Sequence, residues 1–312
     1  SNVLVTGVSS FVGGRVFHKL SEHPGYNVTG AIRSHSASEG KAMISVGNID
    51  SHTDWARALE DKKVVVHCAG SAQAPDSRSA EASKKLWEVN VEGPARLARQ
   101  AVEQGVRRFI FISSVKVHGE KTLPGRSFRA GSGFDPEGSY AVSKMEAEKA
   151  LQDVAASTEM ELVIIRPPLV YGPGVGGNFA LLMKALKRHW PLPIGAFENQ
   201  RSFVALDNLV DLVITCMQHP DAANRVFLVS DGEDLSSAGL LRRMAKVSGL
   251  RNPVISVPPR LLMLAATVIG KRRALQRLMD SLQVDSSDTC EQLGWKPPLS
   301  VDEGLSRCLL CS

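Results

Sequence analysis

Val3-Leu4-Val5-Thr6-Gly7-Val8-Ser9-Ser10-Phe11-Val12-Gly13 is the stretch whose reading decides the fold. Three consecutive apolar residues read as a buried strand, a Gly/Ser turn follows, and an amphipathic run from about Phe11 to Leu20 reads as a helix. Small residues in such a turn let the backbone approach a phosphate, which the free amides and dipole of a helix N-terminus favour. The glycine spacing is incomplete, because Ser10 stands at its middle position. A tight strand-to-helix turn without a ligand is the competing reading, and only the rest of the chain can decide between them.

Working outward, Val28–Ile32, Val64–Cys68, Phe109–Ile112 and Leu162–Ile165 repeat the pattern of short, continuously apolar runs. Helical stretches separate them, one ending near Gln104 and one running from about Tyr140 to Ala155. Strands apolar on both faces and alternating with helices predict a parallel sheet covered on both sides, an α/β doubly wound fold. After Arg166-Pro167-Pro168 the rhythm breaks and Gly and Pro cluster at Gly172-Pro173-Gly174 and Gly176-Gly177. The expected division is a nucleotide-binding domain over 1–168, completed by about 202–230, and a smaller substrate-binding lobe from 169–201 and 231–312. No internal repeat interrupts either part.

The composition fits this picture. The chain has 312 residues, 43% hydrophobic and 22% charged, with a mean hydropathy of −0.06. These values exclude a disordered or fibrous protein. Thirty-seven Lys/Arg against 32 Asp/Glu give +5. Because the only clustered run is Lys271-Arg272-Arg273, that bias suits a small anionic substrate rather than nucleic acid. Five cysteines, an odd number, point to a reducing compartment. Cys308-Leu-Leu-Cys311 has no second pair with which to hold a metal, so no metal site is expected. Leu261–Ile269, the longest apolar run, is too short to span a bilayer. No leader precedes the first strand, so a cytoplasmic protein is expected.

Three positions carry the chemistry. The second strand ends at Arg33, where an acidic residue would bind the ribose 2′-hydroxyl of NAD and an arginine can accept the 2′-phosphate of NADP. NADP(H) is therefore the expected cofactor, with NAD(H) as the alternative. Tyr140 and Lys144 lie one helical turn apart on one face. A nearby ammonium lowers a phenol's pKa and prepares a proton carrier for an alcohol or ketone. Ser113-Ser114 closes the strand ending at Ile112, on the edge where open α/β sheets bind ligands.

Together with His67-Cys-Ala-Gly70, Asn90-Val-Glu-Gly93, Ser113-Ser-Val-Lys-Val-His-Gly119, Arg166-Pro-Pro-Leu-Val-Tyr-Gly-Pro173, Arg201-Ser-Phe-Val-Ala-Leu-Asp207 and Leu293-Gly-Trp-Lys-Pro297, these residues resemble an extended short-chain dehydrogenase/reductase. The resemblance is to the NAD-dependent epimerase/dehydratase family, which has a Rossmann sheet. It implies Ser114, Tyr140 and Lys144 as the catalytic triad. It further implies a nicotinamide cofactor along Gly7, Ser10, Phe11, Val12, Gly13, Asn48, Ile49, Ala69, Gly70, Asn90 and Pro167. Asn178 and Arg201 would contact the diphosphate of a nucleotide sugar, a UDP-sugar, beside Ser114. The family's subunit-pairing helices match 80–104 and 140–155, implying a homodimer.

Departures from the family narrow the reaction. Dehydratases carry Asp-Glu after the serine, whereas this chain has Val115-Lys116, which supply no carboxylic acid. His118 replaces a usual tyrosine and reads as packing, and Leu169 replaces a common asparagine. A 4-ketoreductase and a 4-epimerase remain, sharing one triad. Arg33 favours the ketoreductase, and the resemblance to bacterial O-antigen enzymes gives a UDP-4-keto-6-deoxy-N-acetylhexosamine as its substrate. A non-enzymatic NADP-sensing or scaffold protein is the reading from another class, and an intact triad argues against it.

Overall fold

The computed structural model describes residues 1–34, 42–71 and 80–310. Seven parallel strands form one sheet: β1 (Asn2–Thr6), β2 (Asn27–Ile32), β3 (Met43–Ser45), β4 (Val64–His67), β5 (Arg108–Ile112), β6 (Glu161–Arg166) and β9 (Arg225–Leu228). Their spatial order is β3-β2-β1-β4-β5-β6-β9. The chain works outward from β1 to β3 and then returns to the other side of β1, so the order reverses between β1 and β4. The C-terminal ends of those two strands splay there into the crevice where such sheets take their ligands.

Side-chain alternation along the strands builds two separate cores. Val3 and Val5, Val64 and Val66, Ile110 and Ile112, and Val163 and Ile165 face one side. They meet Val16 and Leu20 of α1 (Phe11–Ser21) and Leu209 and Val213 of α7 (Leu206–Gln218). Leu4, Val65, Phe109, Phe111, Leu162 and Ile164 face the other side. There they pack on Leu97 and Ala101 of α4 (Gly93–Glu103) and on Ala147 and Leu151 of α5 (Gly138–Ala156). With a period of two and helices on both faces, the central strands β4 and β5 are buried at every residue, which is why they read as unbroken apolar runs.

The helical stretch expected to end near Gln104 does end there, with a change of register inside it. α3 (Ala80–Trp87) passes into a π-helical turn, Glu88–Glu92, before α4 begins. Pro94 lacks an amide and cannot continue the α-helical register, and the Gly93 amide reaches back to the Glu88 carbonyl. A side chain on Gly93 would meet Ile49 Cγ2 at 2.6 Å, so the turn packs closely on the segment after β3.

Between β6 and β9 the chain forms β7 (Leu169–Tyr171), α6 (Gly177–Lys187) and β8 (Phe203–Ala205), β7 and β8 pairing as a small parallel sheet. A third core joins Phe179, Met183 and Leu186 of α6 to Leu240, Leu241 and Met244 of α8 (Ser237–Val247) and Leu305 and Cys308 of α12 (Val301–Leu310). α9 (Pro259–Val268) and α10 (Arg272–Met279) lie at its margin, and α11 (Ser287–Leu293) leads back to β9.

Candidate active site

The Gly-rich turn shows why its middle glycine is dispensable. Ser10 is the N-cap of α1, and its hydroxyl accepts the Gly13 amide at 3.1 Å. A serine thus does useful work at that position by satisfying one orphan amide. Gly7 and Gly13 are not replaceable. Gly7 has φ +71°, and a Cβ there would lie 2.6 Å from the Ala69 nitrogen. A Cβ on Gly13 would fall 2.2 Å from the Gly7 carbonyl oxygen. These approaches press the N-terminus of α1, with the amides of Phe11 and Val12, against the ends of β1 and β4. Thr6 links the two strands: its hydroxyl accepts the Ala69 amide at 3.3 Å and lies 2.9 Å from His67 Nδ1.

Gly70 marks the convergence point, since a Cβ there would lie 3.3 Å from Lys144 Nζ and 3.4 Å from Asn90 Oδ1. Asn90 sits in the π-helical turn. It accepts the Ser71 amide at 2.8 Å and donates to the Ser71 carbonyl at 3.0 Å and to Ser143 Oγ at 2.9 Å. One asparagine therefore ties the loop after β4 to α5. Pro167 accepts the Val115 amide at 3.0 Å and so holds the turn after Ser114 against the end of β6.

Ser114 follows β5 in extended conformation and caps a short 3-10 turn. Its hydroxyl acts on the Tyr140 phenol, pulling that group's pKa down against burial. Lys144 is buried and donates to the Ile112 carbonyl at 3.0 Å, with its ammonium 4.6 Å from the Phe111 ring centroid. Burial pushes Lys144 down to about 8, against the opposing pull of Cys68 and Glu148. The spacing of Tyr140 and Lys144 suggests a phenol acidified by the ammonium, but the structure gives the opposite direction. Burial raises Tyr140, only Ser114 opposes it, and Lys144 is turned toward the β5 carbonyl instead.

Beneath this group lies a charged cluster absent from the sequence reading. Glu148, fully buried one turn beyond Lys144, pairs with Arg166 at the end of β6, Arg166 Nε lying 3.0 and 3.2 Å from its two oxygens. Ser113 donates to the same carboxylate. Arg166 Nη1 donates to His118 Nε2 at 3.0 Å and to the Ala130 carbonyl at 3.1 Å. Since a guanidinium can only donate, His118 accepts there, and its Nδ1 carries the proton given to the Gly133 carbonyl at 3.1 Å. His118 is thus held neutral, burial lowering its pKa, while it stacks on Phe128 and Phe134. The available signal was the i,i+4 step from Lys144 to a carboxylate flanked by Ala147 and Leu151, an acid on a core-facing stripe.

The remaining candidates spread around this centre. Arg33 is exposed just past β2, and Asn48 is exposed near Ile49, its carbonyl taking the Thr53 hydroxyl at 2.7 Å. Arg201 donates to the Arg277 and Asp280 carbonyls at 2.9 and 3.0 Å. Glu120, paired at 2.8 Å with Lys116 from the turn after Ser114, favours the charged form of Arg201, against the burial that lowers its pKa. Asn178 stands in the first turn of α6, but its side chain lies outside the described residues, as does Cys311. Cys308 is buried, its Sγ 3.2 Å from the Gly172 carbonyl oxygen. No three metal-ligating side chains gather among the described residues. The capped helix end, the close glycines and the Asn90–Lys144 pair can together hold a dinucleotide along the β1–β4 crevice.

The model of the NAD dependent epimerase/dehydratase family matches residues 3–230. The chain belongs to that family. It is 44% identical over 307 residues to a UDP-glucose 4-epimerase of Vibrio cholerae, covering 98% of this chain and 94% of that one. It is 26% identical over 323 residues to the N-acetyl-α-D-glucosaminyl-diphospho-ditrans,octacis-undecaprenol 4-epimerase of Escherichia coli O157:H7, covering 99% and 94%. The crystal structure of UDP-glucuronic acid 4-epimerase from Bacillus cereus with NAD superposes with a TM-score of 0.78 at 20% identity, over 100% of this chain and 98% of that one. At that identity the likeness shows the fold.

Proposed function

We propose that this chain is an NAD-dependent 4-epimerase of UDP-sugars. The observation that carries the reading is the 44% identity to a UDP-glucose 4-epimerase across nearly the whole of both chains. In this reading Tyr140 works as the phenolate, which the positive charge of an oxidised nicotinamide beside it would favour against burial; it takes the proton of the sugar's C4 hydroxyl and later returns it to the C4 oxygen. Ser114, which acts on the phenol, shares that proton and fixes the C4 oxygen. Bound nicotinamide would supply uptake and return of hydride at C4. The lowered affinity of Lys144 for its proton lets it join the relay, with Asn90 holding the neighbouring loop. Arg201, and the lobe formed by 169–201 and 231–312, hold the diphosphate and leave the keto-sugar room to turn over.

One observation favours a second reading, a 4-ketoreductase acting on a UDP-4-keto-6-deoxy-N-acetylhexosamine with NADPH. Arg33 is exposed at the end of β2, and no Asp or Glu occurs from 27 to 34 to take a ribose 2′-hydroxyl. The nucleotide released on denaturing the purified protein, identified by mass spectrometry, separates the two. Near-stoichiometric NAD is the expected result. An empty site that binds NADPH more tightly than NADH would overturn the epimerase in favour of the reductase. A homodimer through the helical stretches 80–104 and 140–155 completes the proposal, checked by sedimentation equilibrium.

A further inference from the structure

α9 is apolar on both sides. Its inner side places Leu262 against the lobe core and buries Ala266. Its outer side carries Leu261, Leu264 and Val268, at i, i+3 and i+7, which are 59%, 66% and 81% exposed, and the adjoining Ile269 is 70% exposed. A surface helix ordinarily turns polar residues outward, yet no charge occurs between Leu261 and Gly270. Trp190 and Ile255 are also exposed, and they flank the backbone pairing of Leu192 with Pro253 and Ile255 just before α9. A concentration of this kind marks an interaction surface.

The surrounding charge identifies the partner. Arg260 precedes the apolar face and Lys271, Arg272 and Arg273 follow it, all exposed. Residues 235–279 contain nine Lys/Arg and no Asp/Glu, so in a chain of only +5 the remainder is net negative. A second copy of this face would oppose cations to cations, and a neutral apolar partner would leave them unanswered.

We propose that the outer face of α9, with Arg260 and Lys271–Arg273, docks on an anionic phospholipid bilayer. Leu261, Leu264, Val268 and Ile269 enter the headgroup–acyl boundary, Trp190 takes the interfacial position aromatic residues favour, and the cations meet lipid phosphates. The helix lies in the surface. No helix among the described residues is long and apolar enough to cross a membrane.

Co-sedimentation of the whole protein with phosphatidylcholine vesicles, with and without phosphatidylglycerol, tests this. Binding is expected only with phosphatidylglycerol and should weaken as salt rises. The Leu264→Glu/Val268→Glu variant should lose it at least roughly tenfold, since it removes apolar area and adds negative charge. Each of Lys271→Gln, Arg272→Gln and Arg273→Gln should lose about fivefold. Circular dichroism and thermal unfolding of each variant show that the fold is kept. Equal partition into both vesicles, or unchanged binding by the variants, would overturn the proposal. So would a Leu264→Glu/Val268→Glu variant that changes only the oligomeric state, which would assign the face to a second copy.

Discussion

α5 buries charge and α9 exposes apolar surface, and the two helices settle those mismatches in opposite directions. On α5, Lys144 and Glu148 are buried one turn apart, and each is answered within the chain: Lys144 by the Ile112 carbonyl, Glu148 by Arg166 and Ser113. On α9, only Ala266 is buried, and the leucines and valine facing outward have no answer among the described residues. A residue type in the wrong environment signals function in both cases. Where the compensation is internal, the protein has assembled a site of fixed geometry. Where it is missing among the described residues, the proposed bilayer would supply it.

The largest expected effect separates chemistry from architecture on α5. Tyr140→Phe removes only the phenol oxygen, and turnover should fall by about 10²–10⁴ while titrated nucleotide binding is retained. Unchanged turnover would remove Tyr140 from the mechanism. Next comes Glu148→Gln, which leaves Arg166 buried without its counter-charge. Denaturant unfolding should show a loss of about 3–5 kcal/mol, and a loss under ~1 kcal/mol would mean that the cluster is not what holds β6 to α5.

A pH series sharpens the same contrast. His118 is neutral in the fold, and burial pushes His67 down to about 3 from an ordinary 6.5. Each group has a lower pKa folded than unfolded, so the unfolded chain binds protons that the native one refuses. Stability is therefore present above about 6.5 and is lost as the pH falls below it. For His67 the loss continues toward 3, at about 1.4 kcal/mol per pH unit for each proton. His118→Gln keeps an acceptor for Arg166 and should flatten part of that acid limb in thermal unfolding. The smallest effect falls on α9. Leu264→Glu should alter unfolding stability by no more than about 0.5 kcal/mol, because its side chain faces outward. A larger loss would show that this face is covered within the protein.

How much of this was legible in the sequence depended on burial on both faces. β1, β2, β4, β5 and β6 stand out as short apolar runs because helices cover each side of the sheet. β3, β7, β8 and β9 have three or four residues each, too few to show a period, and β9 opens on an exposed arginine. Ser114, Tyr140 and Lys144 were legible through spacing and position. Glu148 was not, since one carboxylate among the charges of a long helix looks solvated until its face is known. Nor could spacing give the direction of the Tyr140 shift. Sharing a helix face does not determine where a flexible lysine points, and here the β5 carbonyl holds it.

The most direct test follows UDP-glucose by proton NMR in the presence of the purified protein, with no reductant added. Epimerisation at C4 predicts UDP-galactose signals that grow to a constant ratio, and none with Tyr140→Phe. Unchanged UDP-glucose, in a preparation that consumes NADPH with a UDP-4-keto-6-deoxy-N-acetylhexosamine, would contradict the epimerase and establish the reductase in its place.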